Sequence, residues 1–257
     1  MRIISIDIGI SNFAYCIFND NQIEQWDIIN LLDFDICTFC GKEAIYKKND
    51  ERYCKCHAKS HKIYKIPQKK MLNYNKLTKE KLKEFVKINN IPSDLKNKQT
   101  ILGDIAKHYD DNNYFEMLNK NKCSDTDLLQ IGIKLNAELD KLGVFDIVLI
   151  EDQLGPNAVR MSCIQYMTSQ YYIANNITNI HIVSSKHKLE YWVDDKSLSY
   201  KERKLQSVQI TTDILSRNNI FSDQSSTFSK YKKKDDLSDC FLQGVWYLKK
   251  HDINNII

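Results

Sequence analysis

Residues 1–18 read MRIISIDIGISNFAYCIF. Arg2 to Asp7 alternates β-branched residues as a strand does, and Gly9 relieves the turn that follows. Asn12 to Phe18 alternates again before Asn19-Asp20-Asn21, a hairpin turn signal, and Ile23 to Ile29 supplies a third strand. The chain thus opens on an antiparallel meander that leaves a carboxylate, Asp7, at the end of its first strand.

Two later stretches carry carboxylates in related positions. In DIVLIED (146–152) the run Ile147 to Ile150 is continuously apolar, the mark of a strand covered on both faces, and Glu151 stands where that run meets solvent. In KKKDDLSDCFLQGVWYL (232–248) Leu237, Phe241, Gly244, Val245 and Leu248 recur at helical spacing. Asp236 and Asp239, three apart, share one helix face; Asp235 and Asp239, four apart, do so too, and periodicity leaves both pairs open. Taken singly, a strand-end Asp caps a loop, and Asp235 and Asp236 suit the anion-favouring first turn of a helix. A cluster of four carboxylates is too repulsive to stand unneutralised in a cleft, so divalent metal is its expected occupant. Meander with Asp, buried strand with Glu, helix with DDxxD: this chain order is that of the ribonuclease H-like nuclease fold.

At these residues the chain resembles the RuvC-type Holliday junction resolvases, in the branch of the poxvirus enzymes and fungal mitochondrial cruciform-cutting endonucleases. The matching pieces are SIDIGISNFAY, VLIEDQ with PNAVRMSCIQYMTSQYY, YKERKLQSV and KKKDDLSDCFLQG, covering residues 1–30 and about 124–250. The resemblance places the paired ligands at the second and third Asp of KKDDLSD, here Asp236 and Asp239. It implies a five-stranded mixed sheet with flanking helices, and Asp7, Glu151, Asp236 and Asp239 as catalytic ligands of two Mg²⁺ (or Mn²⁺) ions about 3.5 to 4 Å apart. It further implies paired symmetric nicks in four-way DNA junctions, 5′-phosphate and 3′-hydroxyl ends, and a two-fold homodimer. The pattern departs from the family at one place, a long insertion at about 31–123.

Composition fits this reading. A chain of 257 residues holds one α/β core and a smaller appendage, and 42% hydrophobic content is that of a globular protein. No apolar run approaches the roughly eighteen residues of a membrane span. A strand starting at residue 2 leaves no room for a targeting signal, so the expected location is cytoplasmic, at a viral DNA replication site. Abundant Lys, Asn and Ile suggest an A/T-rich genome, and the poxvirus-like matches point to a large DNA virus. The net charge of +4 is modest, but residues 59–107 hold 13 Lys and four acidic residues.

Four of the eight cysteines crowd into CTFCGKEAIYKKNDERYCKCH (37–57). Cys37 and Cys40 form a CxxC knuckle and Cys54 with His57 a CxxH pair, the ligand count and spacing of a closed zinc site; Cys56 and His61 are spare ligands. A redox CxxC would leave the second pair unexplained. The expected divisions are a nuclease core at 1–30 and 124–257, a zinc-binding insertion at 31–62 and a basic helical insertion at 63–123. In the last, Thr78 caps a helix carrying Leu82, Phe85 and Val86, Asn90-Ile91-Pro92-Ser93 breaks it, and Ile101, Leu102, Ile105 and Ala106 drive a second. Leu82, Ile91, Lys96 and Ile101 give this pair a loose SAP-like look; a solvated spacer reads equally well. Cys16, Cys123, Cys163 and Cys240 read as small core residues.

Beyond the insertion, Thr126 to Leu142 is an amphipathic helix capped by Ser124 or Asp125. Pro156 starts another, through about Asn175, whose stripe Met161, Ile164, Tyr166, Met167, Tyr171 and Tyr172 is core or subunit contact. Ile180 to Val183 is a fifth strand and Tyr200 to Leu215 a basic helix. Candidate DNA contacts are Lys201, Arg203, Lys204, Lys233 and Lys234, with Lys96 and Lys98 and also Lys65, Lys69 and Lys70 in the insertion; each also reads as a solvated surface charge. DIGISN resembles the first phosphate loop of actin-like ATPases, but seven Gly include no second glycine-rich loop, so no nucleotide cofactor is expected. Alternatives are a broader structure-selective nuclease and a non-catalytic DNA-binding module.

Overall fold

The computed structural model describes residues 1–20, 22–67, 74–118, 123–153, 155, 158–194, 197–217 and 221–253. The chain divides into two compact units, Met1–Leu32 with Lys122–Ile257, and Asp33–Asn121.

The larger unit begins with β1 (Arg2–Asp7), β2 (Phe13–Asn19) and β3 (Gln22–Ile29), an antiparallel meander. Gly9 is required at the first turn, because a Cβ there would lie 2.4 Å from the Asn12 carbonyl oxygen. Of the second turn signal, Asp20 takes a left-handed φ of 50° and Asn21 lies outside the described residues.

The intervening unit holds β4 (Tyr46–Lys48), β5 (Glu51–Tyr53), α1 (Lys55–Ser60), α2 (Lys79–Ile88), α3 (Lys98–Asp111) and β6 (Glu116–Met117). Its sheet runs β5-β4-β6, so a strand beyond both longer helices returns to pair with β4. Thr78 caps α2 and Asn97 caps α3 through their side-chain oxygens. Leu82, Phe85, Val86, Ile91, Ile101, Ile105 and Tyr109 form the core between these helices. Asn90 makes the break in a left-handed conformation, φ 52°.

The larger unit resumes with α4 (Leu128–Leu139), β7 (Ile147–Glu151), α5 (Val159–Ala174), β8 (Ile180–Val183), α6 (Tyr200–Arg217), α7 (Ser225–Lys230) and α8 (Lys234–Lys250). The sheet order is β3-β2-β1-β7-β8, with β7 and β8 parallel to β1. This is a mixed five-stranded α/β sheet with flanking helices. Side chains alternate between two cores: Ile3, Cys16, Phe18, Ile147 and Leu149 pack with α6 and α8, whereas Ile4, Ile6, Ile17, Val148 and Ile150 pack with α4 and α5. Both faces are therefore covered, which accounts for the continuous apolar run in β7.

Two expectations are corrected. The cap of α4 is Asp127, whose Oδ1 accepts from the Leu129 N–H at 3.2 Å, while Ser124 instead donates to Asp125. Cys16 and Cys240 are core residues, but Cys123 and Cys163 are only half-buried: the first meets Ser11 Oγ at 3.1 Å and the second lines a surface groove. Pro156, the expected start of α5, lies outside the described residues.

The chain leaves and rejoins the larger unit at neighbouring points. The Leu31 N–H donates to the Ile10 carbonyl at 2.8 Å, and Cys123 contacts the next residue, Ser11. Among the described residues no helix is long and apolar enough to cross a membrane.

Candidate active site

Asp7 closes β1 and Glu151 closes β7; the two strands are parallel neighbours with Ile6 opposite Ile150, so both carboxylates emerge side by side at the C-terminal ends of two central strands. The first turns of α8 supply Asp236 and Asp239, and three features seat that helix against the meander. Gln243 Nε2 donates to Ser5 Oγ at 3.1 Å and to the Ile6 carbonyl at 3.3 Å, inside the core. Trp26 Nε1 donates to the Leu237 carbonyl at 3.1 Å. Gly244 presents no side chain where a Cβ would fall 2.2 Å from the Phe18 ring. Sequence spacing alone could not distinguish Asp235 from Asp236 here; in the structure Asp236 is 9% exposed and Asp239 8%, while Asp235 is half-buried.

Two lysines pair the carboxylates in two groups, Glu151 with Asp239 about Lys188 and Asp235 with Asp236 about Lys204. Asp7 and Glu151 shift one another's pKa in opposite directions. Burial, then Glu151, raises the Asp7 pKa well above the usual carboxylate range. Burial acts on Glu151 in the same sense, but Asp7 and Lys188 outweigh it and hold its pKa low. Lys188 Nζ lies 2.9 Å from Glu151 Oε1 and 2.7 Å from Asp239 Oδ2. Lys204 Nζ lies 2.5 Å from Asp235 Oδ2 and 3.3 Å from Asp236 Oδ1. Burial raises the pKa of both Asp236 and Asp239 against these lysines.

Charge is nevertheless out of balance: five acids face two ammonium groups. Like charges about 4 Å apart cost about 4 kcal/mol at an effective dielectric of 20. Asp236 Oδ2 and Asp239 Oδ1 are buried with no hydrogen-bond partner. Buried carboxylate oxygens without donors, in an anionic cluster, fit hard divalent cations.

Sequence reasoning did not single out Lys188. It sits in the 3-10 turn His187–Leu189, just beyond β8, and β8 is the parallel neighbour of β7, so its following loop opens on the Glu151 edge. That strand order was the missing information. Of the other cations, Lys204 belongs to the cluster, Lys201 and Arg203 are exposed on α6, and Lys233 is exposed at the start of α8. Lys234 lies over the Phe228 ring, 5.6 Å from its centroid. In the smaller unit Lys65 and Lys98 are exposed and Lys96 pairs with Asp94 at 3.0 Å; Lys69 and Lys70 lie outside the described residues. The same unit gathers Cys37, Cys40, Cys54 and His57 with their ligand atoms within 4.8 Å of one another.

Sheet order and flanking helices define a ribonuclease H-like α/β fold. The description "Poxvirus A22 protein" matches residues 108–251, and the chain belongs to that family, one of Holliday junction resolvases and hence of endonucleases. It is similar to "Uncharacterized protein L451" of Acanthamoeba polyphaga mimivirus, 25% identical over 313 aligned positions covering 97% of this chain and 75% of the relative. It also aligns with the solved yeast mitochondrial Holliday junction resolvase Ydc2 at 15% identity and a TM-score of 0.42, covering 100% of this chain and 86% of that one.

Proposed function

We propose that Asp7, Glu151, Asp236 and Asp239 hold two Mg²⁺ or Mn²⁺ ions and that the chain, as a homodimer, nicks four-way DNA junctions symmetrically. The observation that carries this is the pair of orphaned buried oxygens on Asp236 and Asp239 inside an anionic cluster. When bound, the ions supply a hydroxide nucleophile at neutral pH and stabilise the leaving 3′ oxygen. The chain's own residues prepare the site. Lys188, held between Glu151 and Asp239, is a cation available to a phosphate once those acids have other company. Lys204 fixes Asp235 and steadies Asp236, while Lys201, Arg203, Lys233 and Lys234 meet phosphates without reading sequence.

In this reading the nuclease core is residues 1–30 and 124–257, interrupted by zinc-binding (31–62) and basic helical (63–123) segments, the latter adding phosphate contacts through Lys96 and Lys98. One structural Zn²⁺ accompanies the carboxylate-bound ions. The dimer forms through α4 and α5, which expose Leu129, Ile133 and Tyr166 at 57–67% around an apolar groove. The enzyme acts where viral DNA is replicated.

A synthetic four-way junction incubated with Mg²⁺ tests this. Wild type is expected to give paired, symmetric, ligatable nicks, and Asp7→Asn and Glu151→Gln to bind without cutting. Equal cutting by all three removes the site; unpaired nicks scattered over forks and flaps replace the resolvase with a general branch nuclease.

A further inference from the structure

The Cys/His cluster of the smaller unit resolves to individual ligand atoms. Cys37 Sγ lies 3.4 Å from His57 Nδ1, Cys54 Sγ 3.6 Å from the same nitrogen, and Cys40 Sγ 3.7 Å from Cys54 Sγ. A tetrahedral ion with Zn–S of about 2.3 Å and Zn–N of about 2.0 Å has edges of about 3.5 Å between sulfur and nitrogen and about 3.8 Å between sulfurs. The gap between Cys40 and Cys54 is far beyond the roughly 2.05 Å of a disulfide.

The backbone fixes the shape of the knuckle. Gly41, at φ +69°, turns the knuckle so that its N–H and that of Cys40 return to the Cys37 carbonyl at 3.2 and 3.4 Å. The spare ligands are engaged elsewhere or turned outward. His61 Nδ1 accepts from the backbone N–H groups of Tyr64 at 2.9 Å and Ile63 at 3.3 Å, its ring stacked on Tyr64, and Cys56 is exposed.

We infer that Cys37, Cys40, Cys54 and Nδ1 of His57 bind one Zn²⁺ in a closed S₃N site, and that this ion is what holds the β5-β4-β6 sheet and α1 together. This deepens the zinc part of the function proposed above. The need is physical: the strands have three, three and two residues, and the buried core beneath them is Tyr53, Ala58 and Phe115. A core that small does not sustain a sheet without a staple. The α2–α3 pair, with its own apolar core, does not depend on the ion.

The full-length chain is purified without added metal and its zinc measured, then replaced by Co²⁺. One zinc per chain is expected, with the intense visible absorption of tetrahedral cobalt and sulfur-to-cobalt charge transfer. Cys54→Ser should lose at least tenfold in zinc affinity, whereas His57→Cys keeps the ion and changes the cobalt spectrum. Chelation should speed amide exchange at least tenfold over 46–53 and 114–117, leaving 101–109 and 147–151 protected. Zinc below a tenth of an ion per chain, full retention by Cys54→Ser, an unchanged spectrum in His57→Cys, or unaltered exchange after chelation overturns the inference. Junction cutting by the same preparation is scored separately: cutting without zinc sinks the zinc site alone, and zinc without cutting sinks the nuclease reading alone.

Discussion

At the residue scale, Lys188 reads as a placeholder among acids. Removing one partner of a buried ion pair costs about 3–5 kcal/mol, because the remaining charges stay buried and unpaired. Lys188→Met is therefore expected to lose stability on that scale in EDTA, and much less in Mg²⁺, when denaturant midpoints are compared. Identical losses in both buffers would mean that lysine and metal do not share Glu151 and Asp239. The Asp7 carboxyl, raised by burial and by Glu151, sets a pH trend. A group whose folded pKa lies above its unfolded value of about 3.8 adds stability below that value and loses it as pH rises through the folded pKa. Without metal, Asp7→Asn should thus gain on wild type as pH climbs from 4 into the neutral range, read as a widening difference in melting temperature. A constant difference across that range would contradict the raised Asp7 pKa.

At the element scale, α8 presses a glycine against Phe18 to bring its acids to the C-terminal ends of β1 and β7. Gly244→Ala should cost about 1–3 kcal/mol through overpacking and blunt cleavage by lifting Asp236 and Asp239 from Asp7. Trimming the ring in Gly244→Ala/Phe18→Leu should restore part of the stability; a double variant no better than the single would place the strain elsewhere. Strands and helices of the larger unit were legible because each carries its own period: alternation in β1 and β2, the unbroken run of β7, the apolar recurrence of α8. Gly9 and Gly244 were visible as residues, but the close approach that makes Gly244 irreplaceable appears only when α8 meets β2. Lys188 and Asp127 were hidden for a related reason. One owes its role to which strand lies beside which, the other to where the chain leaves a loop for a helix, and neither is written in local periodicity.

At the scale of the whole molecule, two-sided cutting needs two sites, and the exposed α4–α5 groove is the surface assigned to pairing. Tyr166→Glu with Ile133→Asp is expected to convert a dimer to a monomer by light scattering and to uncouple the two nicks, while single-site cutting persists. A dimer that survives both charges would move the interface to another face. The unit that holds the Cys/His cluster raises a different issue. It departs after a backbone bond to Ile10 and comes home beside Ser11, so the excursion places no topological demand on the sheet that hosts it. A short linker across that doorway ought to yield a trimmed enzyme whose catalytic half still assembles. By the same token, a viral lineage is free to acquire or shed such a cassette in one genetic event, without renegotiating the architecture around the acids.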